Sequence, residues 1–547
     1  MTRTIPLRRR GADASTGVTR IAAIDIGSNS IRQLIADVSS NGGIKVIDEM
    51  KDAPRLGAGL AESGALSEEA MSRAVEALGR MALLAKQARA NRIEAVATSA
   101  VRDATNGRVF LARVRRATGL AVRILSGEEE ARLGFLSATA HFDLAVGRTV
   151  VMDIGGGSLE LALSAGGVVD RLLSFPLGTV RLTERFLGMT PRRGDVSRLR
   201  REVRRELKAH WRAREWRGAQ VIGSGGTFTN LAGMVLARQG LLTARTVHAA
   251  RIERLDLEHL IDTLGAMSPG ERLKVPGLNK ERADIILAGL CVSAEVLARL
   301  DSRALVVSRY GIREGIVLDA ARVAPVAADP GDARERSIRE LGERCRFDEP
   351  HAQHVRDIAL QLFDALGERL GCRAADRQIL GDASLLHDIG YHISYDSHHK
   401  HSYHLILHAD LLGVTPADQV VIANVARYHR GALPKRAHRN FGSLDKDSRR
   451  RIRRLAALLR IADGLDRGHV AAVGKVKVRW SARSLRITPH PTVAGGTMRL
   501  ELWGASRRQS LLERVTGSRV EFVDADGAVY GDSELDAVDS EVRALRA

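Results

Sequence analysis

Aromatic residues make up only 4% of this 547-residue chain, too few for a protein whose main business is stacking bases. Cysteine is equally scarce. Cys291, Cys345 and Cys372 are odd in number and unpatterned, which excludes a disulfide framework and fits a reduced cytoplasm. No run approaches the about 20 continuous apolar residues of a membrane span, so no membrane partner is expected. Residues 1–20 carry Arg3, Arg8, Arg9 and Arg10 without an apolar stretch beside them, and read as a disordered basic tail, not a secretory signal.

What is present is charge. The chain is 27% charged and 44% hydrophobic, the balance of a globular protein large enough for about three to four domains. Its formal net charge of +19 implies a polyanionic partner: nucleic acid, an anionic membrane or a phosphate polymer.

One plan occurs twice. Residues 21–26 form an apolar run broken by Gly27-Ser28-Asn29-Ser30, then 31–38 resume it, Asn41-Gly42-Gly43 signals a hairpin turn, and 44–47 begin a third strand. Residues 149–154, Gly155-Gly156-Gly157-Ser158, 159–163, Ala165-Gly166-Gly167 and 168–173 repeat it. Each copy places an aspartate, Asp25 or Asp153, just before a glycine turn that ends in serine. Such a repeat implies two subdomains of like topology facing one another. Between the copies, a helix from Ser67 to about Arg89 and strands at 93–98 and 121–125 give α/β patterning. An arginine-studded helix is expected over 197–217, and a short strand at 219–222 leads through Gly223-Ser224-Gly225-Gly226-Thr227 into another helix.

Residues 324–333 read as a linker. From 337 to about 473 the pattern is helical and rich in histidine. Alternation returns at Val476-Val478-Trp480, Leu485-Ile487 and Met498-Leu500-Leu502, suggesting strands of a small C-terminal domain.

Glycine turns after strands let backbone N–H groups converge on an anion without interference from Cβ. Three occur here, and they nominate Gly27, Ser28, Asn29, Ser30, Gly155, Gly156, Gly157, Ser158, Gly225, Gly226 and Thr227 as phosphate-binding residues. Asp25 and Asp153 suit Mg²⁺ (or Mn²⁺), a hard cation that prefers a few carboxylates together with water and phosphate oxygens.

The segments Asp25-Ile26-Gly27-Ser28-Asn29-Ser30 and Asp153-Ile154-Gly155-Gly156-Gly157-Ser158-Leu159-Glu160 resemble the two phosphate motifs of the exopolyphosphatase/guanosine pentaphosphatase family. Ser126-Gly127-Glu128-Glu129-Glu130-Ala131-Arg132 is similar to that family's Ser-Gly-x-Glu-Glu-Ala-Arg signature. The resemblance implies two actin-like (ribonuclease H-like) α/β subdomains, at 21–140 and 141–323. It also implies Glu130 as catalytic base, Arg102 as a substrate-phosphate ligand and a homodimer. Ser126 and Glu129 are spaced as a capping box, which accounts for Glu129 and leaves Glu130 unexplained.

In the helical region, His354, His387-Asp388 and Asp463 follow the order of ligands in HD-type phosphohydrolases. That resemblance implies an all-α HD-type domain at 335–473, with a transition metal on His354, His387, Asp388 and Asp463 and with His401 and His429 as candidate ligands of a second ion. His398, His399, His404 and His408 read as surface or packing histidines. A small α+β domain is expected at 474–547.

The function implied is release of terminal phosphate from inorganic polyphosphate, with conversion of pppGpp to ppGpp as a second candidate activity in the stringent response. A kinase of the same superfold and a basic polyanion-binding scaffold are the competing readings. Glu130 favours water as acceptor over an alcohol. The arginine runs at 198–217 and 449–454 motivate the scaffold, but with aromatics at only 4% of the chain a nucleic-acid partner is not expected.

Overall fold

In this computed structural model the described residues are 18–39, 43–188, 191, 194–241, 247–322, 330–409, 411, 413–481, 484–523 and 529. The basic tail up to residue 17, the turn residues Asn41 and Gly42, most of the linker and nearly all of 524–547 lie outside them. The chain divides into two compact units. One comprises the described residues of 1–235 and 250–329; the other, those of 236–249 and 330–547.

The first unit is built on two sheets. In one, β1 (Thr19–Ile26), β2 (Ile31–Val38), β3 (Ile44–Asp52), β4 (Arg92–Ala97) and β5 (Val122–Ile124) run in the order β3-β2-β1-β4-β5. In the other, β6 (Arg148–Ile154), β7 (Leu159–Ala165), β8 (Val168–Phe175), β9 (Gln220–Ser224), β10 (Arg251–Glu253) and β11 (Ala304–Val307) run β10-β11-β9-β6-β7-β8. Each has an antiparallel three-strand meander followed by parallel neighbours, β1 with β4 and β6 with β9.

The repeat extends to irregularities. The register of β2 on β3 shifts between Ile35 and Ala36, and that of β7 on β8 between Leu163 and Ser164. Both shifts begin ten residues after the motif aspartate (35 − 25 and 163 − 153). A bulge bends its strand and increases the local twist, so both copies carry a register irregularity at the equivalent position.

Local chemistry sets the element ends. Ser67 caps the helix Glu68–Gln87 by accepting from the N–H of Ala70, and Ala70, Ala74, Ala77, Leu78 and Met81 form its buried face. The expected long arginine helix is shorter. It runs Asp195–His210 and stops at Trp211, whose buried ring sits in extended backbone, and Trp216 is buried just beyond.

The second unit is a helical layer with a three-stranded sheet, β12 (Val473–Trp480), β13 (Ser484–Pro491) and β14 (Arg519–Phe522), in the order β12-β13-β14. One continuous core joins the helices to this sheet, from Ile338 through Leu458 to Phe522. The alternation read at Met498-Leu500-Leu502 is not a strand. Residues Arg499–Ser506 are helical, with Met498, Leu502 and Ala505 buried on one face and Leu500 turned outward. Three apolar residues at alternate positions are too few to tell a period of 2 from one of 3.6. Gly464 against Gly504 and Ala505 lets this helix approach the helix Lys446–Gly464 closely.

Candidate functional site: a carboxylate and guanidinium cleft, and a buried histidine cluster

Asp25 and Asp153 occupy the penultimate positions of β1 and β6. In both copies the following turn closes the same way. The N–H of Gly27 donates to the carbonyl of Ser30 (3.2 Å), and that of Gly155 to the carbonyl of Ser158 (3.0 Å). The two turns meet. A Cβ on Gly156 would lie 2.8 Å from Cβ of Ser28 and 3.3 Å from the backbone N of Asn29, and one on Gly157 would strike the Ser99 hydroxyl. Ser28 and Ser99 share a hydrogen bond of 3.0 Å. Glycine is required here because two backbones from two subdomains pass within side-chain distance of each other.

The third turn differs. Gly225 has φ +88°, a left-handed conformation, and a Cβ there would lie 2.6 Å from Oδ1 of Asp153. Ser224 donates to Oδ2 of the same aspartate (3.1 Å). Gly226 begins the helix Gly226–Arg238, with the Arg282 guanidinium packed on its Cα. Thr227 is fully buried and directs its hydroxyl to the carbonyl of Ile154 (3.5 Å).

Glu130 lies in the first turn of the helix Gly127–Thr139. The capping box forms as spaced: Glu129 accepts from the N–H of Ser126 (2.8 Å), and Ser126 accepts from that of Glu129 (3.1 Å). Glu129 also pairs with Arg123 (2.6 Å). Glu130 turns inward and accepts from Arg102 (2.5 Å), which also donates to the carbonyl of Leu125 (2.8 Å).

The electrostatics follow from burial. Burial pushes Glu130 up to about 7; Arg102 opposes the rise, and Asp25 and Asp153 add to it. Asp25 and Asp153 are each raised to about 6, again chiefly by burial. Oδ1 of Asp25 is buried without a hydrogen-bond partner. Two buried carboxylates with an orphaned oxygen fit a hard divalent cation, which would supply the charge they lack.

Four further groups, which sequence reasoning passed over, face this cleft. Arg32, Arg282 and Arg313 act electrostatically on the two aspartates, and burial lowers the guanidinium of Arg282 to about 10. Glu160 is buried, accepts from Ser174 (3.0 Å) and is raised well above its ordinary value by burial and by Glu130. The hairpin register held the signal for two of them. Asp25 pairs directly with Arg32 across β1 and β2, and Asp153 with Glu160 across β6 and β7. The residue seven after each motif aspartate therefore lies beside it, basic in one copy and acidic in the other.

The second unit holds a separate cluster. His387 and Asp388 end the helix Asp376–Leu386, His429 follows Pro416–Arg427, and Asp463 lies in Lys446–Gly464. The structure brings in His351 rather than His354, and His398 rather than His401. His354 and His401 are only half-buried, whereas His351 and His398 are 3% and 2% exposed. Both selected histidines sit three residues after the clustered ones, a step that turns about 60° around the helix and away from the centre. His351 at the head of its helix, and His398 within a run taken as surface, were the signals missed.

Each clustered histidine is fixed from behind. His387 Nδ1 donates to the carbonyl of Ser384 (2.6 Å), His429 Nδ1 to that of Ala426 (2.6 Å), His398 Nδ1 to that of Tyr395 (3.1 Å) and His351 Nδ1 to Asp466 (2.7 Å). Every Nε2 is left to face the carboxylates. Burial pushes His429 down to about 3, so its imidazole is neutral. Burial opposes ionisation of Asp388, but His387 and His398 beside it hold its carboxyl well below the usual range. Imidazoles oriented by outer hydrogen bonds around carboxylates make a donor set for a transition metal.

Comparison with known proteins covers both units. A profile of the Ppx/GppA phosphatase family matches residues 34–323, and one of Ppx/GppA phosphatase, domain III, matches 333–488. A solved exopolyphosphatase from Cytophaga hutchinsonii is 29% identical, with a TM-score of 0.51; the match covers 56% of this chain and 98% of that one. A solved exopolyphosphatase-like protein is 29% identical over the same shares, with a TM-score of 0.53. A family member from Aquifex aeolicus is 31% identical over 56% of this chain and 98% of its own, with a TM-score of 0.48.

Proposed function

Since this chain belongs to the Ppx/GppA phosphatase family, we propose that it hydrolyses the terminal phosphoanhydride of inorganic polyphosphate, in the cleft where its two actin-like subdomains meet. The observation that carries the reading is the convergence of Glu130, Asp25 and Asp153 with Arg32, Arg282 and Arg313 beside two abutting glycine turns. A hydrolase of a phosphate chain needs a proton acceptor, cations for the chain's oxygens and a rigid backbone cradle.

Glu130 takes a proton from the attacking water as its oxygen bonds to the terminal phosphorus. The anhydride P–O bond breaks, and the bridging oxygen stays with the shortened chain. Arg102, held against Glu130, serves the terminal phosphate and keeps the base in place. Arg32, Arg282 and Arg313 bind the non-reacting oxygens. Asp25 and Asp153 would hold Mg²⁺, which supplies charge neutralisation and orientation when bound. Glu130 in turn raises the affinity of buried Glu160 for its own proton.

Guanosine pentaphosphate offers a similar reacting group, and conversion of pppGpp to ppGpp is the second reading. Phosphate release from long polyphosphate, short polyphosphate and pppGpp, measured side by side, separates the two. Release from neither class removes the proposal.

For the second unit we propose an HD-type metal centre on His351, His387, Asp388 and Asp463, with His429 and His398 beside them. Its support is the set of oriented Nε2 atoms. Elemental analysis of protein purified without chelator, alongside His387→Ala/Asp388→Ala, tests it: negligible metal in both would mark the site as vestigial.

A further inference from the structure

The glycine turns are held from behind, chiefly by main chain. In the second copy of the strand–turn–strand plan, the N–H of Thr179 donates to the carbonyl of Gly155 (3.0 Å), that of Val180 to the carbonyl of Gly156 (2.9 Å), and Nε of Arg181 to the carbonyl of Gly157 (3.1 Å). In the first copy, the N–H of Gly57 donates to the carbonyl of Ser28 (2.8 Å) and that of Arg55 to the carbonyl of Asn29 (3.2 Å). A planar trans peptide carries its N–H opposite its C=O. Each held carbonyl therefore turns the next N–H away from the supporting segment: those of Gly156, Gly157 and Ser158 in one turn, and those of Asn29 and Ser30 in the other. Two short segments, 55–59 and 178–184, thus fix where both turns present their donors.

The two supporting segments are joined to each other. Glu184 accepts from the N–H of Gly59 (3.0 Å). Arg181, besides its bond to Gly157, sends Nη2 to Oδ2 of Asp103 (2.6 Å), at the end of the helix Ser99–Asp103. Oδ1 of Asp103 lies 3.6 Å from Nε of Arg102, which itself donates to Glu130 (2.5 Å). Asp103 and Glu130 are the two carboxylates within ion-pair distance of Arg102 among the described residues. One side chain therefore connects the second glycine turn to the arginine that holds the base. A guanidinium can do this because its fork presents separate N–H groups to two acceptors at fixed angles. The next segment, Thr183–Leu187, is wound as a π-helix, a rare form that is frequent at functional sites. The side chains of Arg181 and Asp103 are 29% and 39% exposed, so their ion pair contributes little to stability.

We propose that Arg181 and Glu184 are positioning residues for phosphoanhydride hydrolysis. Glu184 ties the two turn-holding segments together, and Arg181 fixes the second turn while occupying Asp103, so that Arg102 stays with Glu130 and the terminal phosphate. Both act through other groups: Glu184 through the 55–59 segment, Arg181 through the Gly157 carbonyl and through Asp103. Without Arg181, Asp103 competes with Glu130 for Arg102, and the Gly157 carbonyl loses its side-chain donor. Lysine cannot replace it fully, because an ammonium is a point charge on a flexible stem. The inference rests on the hydrolase reading of the cleft and adds how its two turns and its base are kept in register.

Phosphate release from polyphosphate of defined length, with Mg²⁺ present, gives kcat and KM for the full-length protein and each variant, and circular dichroism gives the thermal transition. Arg181→Ala should keep the transition of the parent and lose about 10²-fold in kcat, the cost of a displacement of about 1 Å at a reacting centre, with KM little changed. Adding Asp103→Asn removes the competing carboxylate, so Arg181→Ala/Asp103→Asn should recover about tenfold in kcat, the size of one charged hydrogen bond. Arg181→Lys, which keeps the charge without the fork, should fall between, and it carries the test if Arg181→Ala does not fold. Glu184→Ala should lower kcat, and Glu184→Gln, whose amide oxygen still accepts from Gly59, should restore it. Unchanged kcat in Arg181→Ala overturns the positioning role, and no recovery on adding Asp103→Asn overturns its route through Arg102. A rise in KM at constant kcat puts Arg181 on the substrate and overturns the role as well. Each of these leaves the hydrolase reading standing, whereas no release by the unsubstituted protein overturns both.

Discussion

A buried carboxyl placed to accept a proton leaves a mark on stability as well as rate. Glu130 has a folded value of about 7 against an ordinary 4.5. The fold therefore favours its neutral form: that contribution is full below about pH 4.5 and is lost as pH rises through about 7. Glu130→Gln keeps the shape, accepts from Arg102 and never ionises. Its melting temperature should match the parent protein near pH 4 and exceed it at pH 8, as calorimetry would read. Turnover should fall by about 10²–10⁴-fold with binding retained. In the parent, kcat/KM should rise through about pH 7 as the base loses its proton. Turnover of Glu130→Gln within a few-fold of the parent would remove this residue from the mechanism. Asp25→Ala and Asp153→Ala should each abolish Mg²⁺-dependent release while circular dichroism stays unchanged; unaltered Mg²⁺ affinity in both variants would sink their role.

At the scale of elements, the cleft depends on backbone passing backbone. A Cβ at Gly178 would collide with the main chain of Gly157 and Ser158, the turn that faces Ser28 and Ser99. Main chain cannot step aside as a flexible side chain can. Gly178→Ala should cost about 1–3 kcal/mol in denaturant unfolding and depress phosphate release with it. Full stability with full activity would show that this turn yields freely. In the second unit, the proposed metal ligands come from several helices that otherwise share one apolar core. A bound ion ties those helices together, so chelator should lower the thermal transition of this unit. Phosphate release should survive, because Glu130, Asp25 and Asp153 belong to the other unit. Loss of release from a folded His387→Ala/Asp388→Ala variant would move the chemistry to the histidine cluster.

For the whole molecule, if the charge of +19 docks the proposed substrate, polyphosphate affinity should fall steeply with KCl as bound counterions are released. A flat dependence would exclude it. Not every arginine contributes. Arg200, in the basic helix, bonds Glu258 (2.7 Å) and Glu295 (2.6 Å), and Arg198 pairs with Asp195 in the same helix. Arg200→Ala should therefore cost about 1–3 kcal/mol of stability and change polyphosphate affinity little. A large loss of affinity at unchanged stability would put that helix on the substrate's path. The sequence by itself determined what depends on neighbours along the chain: the doubled strand–turn–strand plan, the capping box that frees Glu130, and the Asp-before-glycine turns. It could not decide what depends on separate segments meeting. Arg282 and Arg313 are far in sequence from the aspartates they face. His351 and His398 were distinguishable from His354 and His401 only by which helix face turned inward. The helix at 499–506 took its identity from packing against Gly464, because a short apolar pattern fits either period until a neighbour selects one face.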